Sequence, residues 1–113
     1  MSKKIIAVIT AATSDRVIVT DDTIKLIIEE HFRGIPKDII LETVERVLRD
    51  PSEVYKDTQK SKGKEYDFFY RLETGEYVVV VVKILETGAF LSSMYPTGKK
   101  PRNKHKDFKR VKL

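Results

Sequence analysis

The fold of this chain is decided by residues 65–96, which read EYDFFYRLETGEYVVVVVKILETGAFLSSMYP. The tetrapeptide Leu-Glu-Thr-Gly occurs twice in this stretch, at residues 72–75 and 85–88. Each copy lies between runs of β-branched and aromatic residues, and its glycine suits a hairpin loop that needs a positive φ. The stretch therefore predicts three antiparallel strands, Glu65–Leu72, Glu76–Leu85 and Ala89–Tyr95.

A three-residue loop, Glu-Thr-Gly, in each hairpin would set the register of these strands. Leu72 would lie opposite Glu76, and Leu85 opposite Ala89. Because side chains alternate between the faces of a sheet, this register assigns every residue to a face. The predicted covered face is mostly apolar: Tyr66, Phe68, Tyr70, Val78, Val80, Val82, Ile84, Phe90, Ser92 and Met94. The predicted functional face holds Glu65, Asp67, Phe69, Arg71, Tyr77, Val79, Val81, Lys83, Leu91, Ser93 and Tyr95.

The residues ahead of this stretch predict two helices and three further strands. Capping side chains in residues 20–23 begin a helix that ends near Gly34, with His31 on or beside its buried stripe. A second helix runs from Pro36 to Asp50. The β-like runs Lys4–Ile9 and Arg16–Thr20 form either a hairpin or a strand preceded by a loose arm, and Glu53–Tyr55 is a short strand.

These elements predict an α+β fold, in which two N-terminal helices pack on one face of an antiparallel sheet that ends in a C-terminal three-stranded meander. Residues 1–98 would form this domain, and residues 99–113 a basic C-terminal tail. Lys56–Lys64 is expected to be an exposed loop.

Composition limits the functional classes. The chain has 113 residues, of which 41% are hydrophobic and 35% charged, as in a small globular domain. It has no cysteine and two histidines, so we expect neither a metal nor another cofactor. No apolar run is long enough to cross a bilayer and no signal-peptide core follows Met1, so we expect no membrane association and a cytoplasmic location.

The positive charge is concentrated in the tail. Residues 99–113 carry eight lysine and arginine side chains against Asp107 alone, a net charge of +7, while the whole chain has +5. Such a tail suits a polyanion such as RNA or DNA, whose phosphates dominate affinity. A solvated, disordered terminus that aids solubility would explain this concentration of charge equally well.

The order and pattern of these segments resemble the superfamily of small ribonucleases that includes barnase, EndoU, colicin nucleases and RelE toxins, in its phage- and mobile-element-associated branch. The resemblance covers about residues 22–98 and is carried by helical His31 with Arg33 close by, the segment 47–55, the strand Tyr77–Lys83 and the final residues Ser93–Thr97. It implies a metal-independent RNA-cleaving or RNA-binding fold whose site lies on the sheet face away from the helices.

Metal-free RNA cleavage needs an acid, a base and cations for the phosphorane. His31 is the candidate acid or base, Arg71 and Lys83 would clamp a phosphate, and Ser93 and Tyr95 would donate hydrogen bonds. Four of these residues also have a structural interpretation: His31 as a packed helix residue, Lys83 paired with Glu65, Arg71 paired with a strand carboxylate, and Tyr95 as a packing residue. Further nucleic-acid contacts are expected from Arg33, Thr97, Lys99, Lys100 and Arg102.

Three functions fit these residues. The first is an endoribonuclease, for example a toxin that cleaves tRNA or mRNA and is restrained by an antitoxin or immunity protein. The second is a non-catalytic nucleic-acid-binding domain, and the third a protein-interaction module whose tail meets an acidic partner.

Overall fold

The computed structural model describes residues 4–57, 65–98 and 109–111, and these form two helices and seven strands. The strands form one sheet in the order β1-β2-β6-β5-β4-β3-β7. The elements are β1 (Ile5–Thr10), β2 (Arg16–Thr20), α1 (Asp21–His31), α2 (Lys37–Arg49), β3 (Glu53–Lys56), β4 (Glu65–Glu73), β5 (Glu76–Leu85), β6 (Gly88–Thr97) and β7 (Lys109–Val111).

The α+β class is confirmed, but the predicted arrangement, with two N-terminal helices and a C-terminal meander on an antiparallel sheet, does not match the structure in detail. The two β-like runs ahead of the helices form the hairpin β1–β2, one of the two alternatives predicted for them, so the helices are not the first elements of the chain. The meander β4-β5-β6 lies inside the sheet, because β2 pairs with β6 and β3 pairs with β4. The β2–β6 pairing is parallel, at Val17 with Ala89 and Ile18 with Phe90, so the sheet is mixed. Finally, Lys109–Val111 of the basic tail forms β7 beside β3.

Both helices pack on one face of the sheet, here called the helix face. In α2 the buried residues Ile40, Val44, Val47 and Leu48 recur at the spacing of one helical stripe, and α1 buries Ile24 and Ile27. They meet strand residues that alternate along the sheet, among them Phe69, Val80, Val82, Leu91 and Met94. No helix within the described ranges is long and apolar enough to span a bilayer.

The register between β4 and β5 differs from the prediction by one residue. Glu73 pairs with Glu76 and Leu72 with Tyr77, so the turn has two residues, Thr74 and Gly75. Both have positive φ, 36° and 83°, as in the hairpin turns whose twist matches that of the strands. Because strand side chains alternate, this single shift exchanges the two faces of β4.

The second hairpin also has a two-residue turn, since Leu85 pairs with Gly88. A β-bulge then adds Ser92 to β6: Val82 pairs with Leu91, whereas Val81 pairs with Ser93. The extra residue restores the predicted register beyond it, with Val79 opposite Tyr95. Ser93 and Tyr95 therefore lie on the same face as Lys83, as predicted.

The face opposite the helices is here called the open face. Strand pairing assigns it a connected set of residues from six strands. They are Ile18, Tyr55, Tyr66, Phe68, Tyr70, Tyr77, Val79, Val81, Lys83, Phe90, Ser93, Tyr95, Thr97 and Arg110.

Candidate functional site

The centre of the open face is a buried cluster of aromatic rings. Tyr70 is completely buried, and the rings of Tyr55 and Tyr77 meet it edge to face with centroids 6.0 Å away in both cases. Burial raises the pKa of Tyr70, so its hydroxyl stays protonated. The Tyr55 hydroxyl donates a hydrogen bond of 2.8 Å to Glu53 Oε1. This cluster forms the buried base of the open face.

Around this base, five rings remain partly exposed to solvent. Their strand positions place Tyr66, Phe68 and Tyr77 on β4 and β5, and Phe90 and Tyr95 on β6. Both helices bury their apolar stripes on the other side of the sheet. Aromatic rings that are partly exposed on a sheet offer planar surfaces on which bases stack.

Lys83 lies among these rings. It pairs with Tyr66 on β4 and with Phe90 on β6. The predicted salt bridge with Glu65 does not form, because Glu65 pairs with Ile84 and belongs to the helix face. Within residues 4–57, 65–98 and 109–111, Lys83 has no hydrogen-bond or salt-bridge partner. Its ammonium group is thus available to an anion.

His31 and Tyr95 are brought together. His31 is the last residue of α1, which runs beside β6, and its ring centroid lies 5.8 Å from that of Tyr95 with the planes inclined at 47°. His31 Nε2 is also 3.7 Å from Glu30 Oε2, and about a third of the His31 side chain is exposed, 35%. An imidazole therefore borders the open face at the strand position of Tyr95.

The predicted site residues on the open face are spread along the strands. From Lys83 to Val79, which pairs with Tyr95, the backbone advances roughly 13 Å, and Ser93 lies between them opposite Val81. Lys83 and the His31–Tyr95 pair therefore do not surround one phosphate. The spacing suits contacts to successive nucleotides of an extended strand.

Arg71 is not part of this group, so the prediction that it shares a face with Lys83, Ser93 and Tyr95 is wrong. The shifted register places Arg71 opposite Val78, on the helix face. Its Nη1 donates to the backbone oxygen and to Oδ2 of Asp50, at 2.5 and 2.8 Å. Its Nε lies 3.7 Å from Oε1 of Glu73, an atom that also accepts a 2.8 Å hydrogen bond from Arg46. Arg71 ties the end of α2 to β4.

The predicted nucleic-acid contacts have mixed positions. Arg33 donates from Nε to the carbonyl of Glu29 at 3.1 Å, a contact with the last turn of α1. Thr97 pairs with Tyr77 on the open face. Lys99, Lys100 and Arg102 lie outside the described residues. Arg110 of β7 lies opposite Tyr55 at the sheet edge. Its Nη2 is 3.6 Å from Oε1 of Glu53.

Sequence reasoning missed the burial of Asp67. Its side chain is 2% exposed on the helix face, and its Oδ2 has no hydrogen-bond partner. Loss of hydration raises the pKa of Asp67 to about 6. The positive charge of Lys56, whose Nζ is 3.8 Å from Oδ2 of Asp67, lowers this pKa but does not offset the effect of burial. The alternation of side chains along β4 predicts Asp67 on the helix face only if the β4–β5 turn has two residues instead of three.

The described residues contain no group of three or more His, Cys, Asp or Glu side chains that would hold a metal ion. Comparison with known proteins adds no relative: no protein-family model, no curated protein and no solved structure matches this chain.

Proposed function

We propose that this protein binds single-stranded RNA on the open face. The observation that carries the proposal is the shared position of five partly exposed rings and the unpartnered Lys83 on one side of the sheet. Bases would stack on the rings, and phosphates would approach Lys83. Stacking tolerates every base, so we expect little dependence on RNA sequence.

The position of the basic tail supports this proposal, because strand β7 of the tail joins the sheet. β7 pairs with β3, and Arg110 lies opposite Tyr55 at the edge of the open face. The tail carries a net charge of +7 in residues 99–113. Because phosphate contacts release counterions, its lysines and arginines would supply much of the affinity and make that affinity fall with salt.

The first prediction concerns Lys83 and Tyr66. Lys83→Met is expected to weaken binding of a fluorescently labelled RNA oligonucleotide and to reduce the salt slope of the affinity by about 1, because one phosphate contact is lost. Tyr66→Leu is expected to remove about 1–3 kcal/mol of stacking free energy, roughly a 5- to 150-fold loss of affinity. Fluorescence anisotropy at several salt concentrations measures both effects.

Lys25→Met is the matched control for the charge change, because Lys25 lies on α1 and pairs with Asp21. It should leave the affinity close to that of the unaltered protein. Equal losses in Lys83→Met and Lys25→Met would show that only net charge matters, and would contradict binding by the open face. Tighter binding of DNA than RNA would contradict the choice of RNA.

Cleavage of the bound RNA is a second candidate function, favoured by the contact between His31 and Tyr95. In this reaction a base removes the 2′-hydroxyl proton, the 2′-oxygen attacks the adjacent phosphorus, and the 5′-oxygen leaves with a proton from an acid. The products are a 2′,3′-cyclic phosphate and a 5′-hydroxyl. His31 would serve as acid or base, and Tyr95 and Ser93 would donate hydrogen bonds to the phosphate. Such an enzyme would suit a toxin restrained by an antitoxin or immunity protein.

The second prediction tests this chemistry. Incubation of the protein with RNA in EDTA is expected to yield 2′,3′-cyclic phosphate ends, and His31→Ala is expected to lower the rate about 10²- to 10⁴-fold, as for the loss of a general acid or base. RNA binding should persist in His31→Ala, since the strand groups remain. Intact RNA after incubation with the unaltered protein would leave binding as the sole function.

A further inference from the structure

A cavity of about 420 Å³ lies where β2, β5 and β6 meet the start of α1. Its volume is within the range of small-molecule sites, roughly 300–1,000 Å³. Apolar side chains form most of its wall, including Ile5, Ile18 and Phe90. The polar lining comes from Thr20, Thr23, Lys83 and Ser92. An apolar wall with a few polar groups is typical of a site that orients one small ligand.

Lys83 is the one charged residue that lines this cavity in the described part of the chain. It has no hydrogen-bond or ion-pair partner among those residues, so a bound ligand would supply its counter-charge. The carboxylate closest along the sequence to Thr20, that of Asp21, is already neutralised by the ammonium groups of Lys25 and Lys37. The cavity therefore favours an anionic ligand.

Two further features provide hydrogen-bonding groups beside the ammonium. Thr20 and Thr23 hold their hydroxyl oxygens 3.0 Å apart, and because one hydroxyl donates to the other, the second keeps its proton for another acceptor. The bulge at Ser92 takes this residue out of the β5–β6 pairing at the cavity wall. Bulges of this kind commonly redirect a side chain toward a ligand.

We propose that this cavity binds one nucleoside monophosphate unit, with its phosphate on Lys83, its base against Phe90 and its ribose hydroxyls near Thr20 and Thr23. The nature of the ligand rests on the proposed function, because Lys83 and Phe90 also belong to the open face. The unit is either a free mononucleotide or the phosphorylated end of a bound strand, and the two sources share this chemistry.

The third prediction is a titration of isotope-labelled protein by NMR. A ribonucleoside 5′-monophosphate is expected to produce saturable shifts at the amides of Thr20, Thr23, Leu91 and Ser92. The same nucleoside without phosphate should bind at least about tenfold more weakly, since it leaves Lys83 unpaired. Thr23→Val should weaken mononucleotide binding about two- to tenfold, the range for one hydrogen bond.

Thr43→Val is the matched control, because Thr43 lies on α2 and its hydroxyl donates to the Ile39 carbonyl. It should not alter mononucleotide affinity. Tighter binding of an oligonucleotide that carries a 5′-phosphate than of one that lacks it would identify the strand end as the source. If the mononucleotide binds but a 5′-phosphate does not change the affinity of the oligonucleotide, the free nucleotide is the source.

Two results would overturn the cavity proposal. One is inorganic phosphate that causes the same shifts with the same affinity, which would show a general anion site. The other is the absence of mononucleotide shifts at Thr20 and Thr23 while oligonucleotides still shift Tyr66 and Val81, which would leave the proposed function intact. Saturable cavity shifts in a protein that binds no oligonucleotide would instead support the cavity and contradict strand binding.

Discussion

Replacing Phe69 by alanine is expected to lower the free energy of unfolding by about 3–5 kcal/mol, the range for truncation of a buried aromatic side chain. Phe69 is completely buried in the core between the sheet and the helices. The truncation removes apolar contacts and leaves a cavity that the surrounding residues fill only in part. The total free energy of unfolding of a natural domain is about 5–15 kcal/mol. The variant should therefore still fold, but it should unfold at a much lower urea concentration than the unaltered protein.

Leu72→Ala is the matched control on the same strand, because 51% of Leu72 is exposed. It should change the free energy of unfolding by no more than about 0.5 kcal/mol. The comparison also tests the register, since three-residue turns would place Phe69 on the face away from the helices. A small effect of Phe69→Ala would favour those turns and contradict the structure.

Asp67→Asn is expected to abolish a pH dependence of stability worth roughly 3 kcal/mol. The pKa of Asp67 is about 6 in the folded protein and 3.8 when unperturbed. Because the folded state holds the proton more tightly, this contribution is fully present below about pH 3.8 and is lost as the pH rises through about 6. The two pKa values differ by about two units, at 1.36 kcal/mol for each unit.

Urea unfolding of both proteins at a series of pH values measures this effect. The amide that replaces the carboxylate would carry no charge, so the variant should gain stability relative to the unaltered protein between about pH 4 and pH 7. Asp22→Asn, at an exposed carboxylate of α1, is the control and should show a much smaller change with pH. A constant difference between Asp67→Asn and the unaltered protein across this range would contradict a buried, desolvated carboxylate.

The local elements could be predicted from the sequence because short-range rules govern them. Helical periodicity and end signals placed α1 and α2 within a few residues of their bounds, and β-branched runs placed the strands of the meander. Alternation also predicted Lys83, Ser93 and Tyr95 on one face, an outcome that in the structure depends on the bulge at Ser92. His31 was a candidate because of its imidazole, but its contact with Tyr95 depends on where α1 lies beside β6.

The parts of the fold and of the site that were predicted wrongly depended on one turn and on pairings between distant residues. Since strand side chains alternate, the two-residue turn at Thr74 and Gly75 moved Arg71 and Glu65 to the helix face, and Lys83 lost its expected partner. The bulge at Ser92 compensated for a similar error in the second hairpin.

By itself, the sequence determined the class of the fold, the order and type of its main elements and the presence of a basic tail, because propensity, periodicity and charge are local properties. Only the tertiary structure decided the parallel β2–β6 pairing, the attachment of β7, the burial of Asp67 and the cavity beside Lys83. Each of these brings together residues far apart in the chain, and their association depends on how all the layers pack at once.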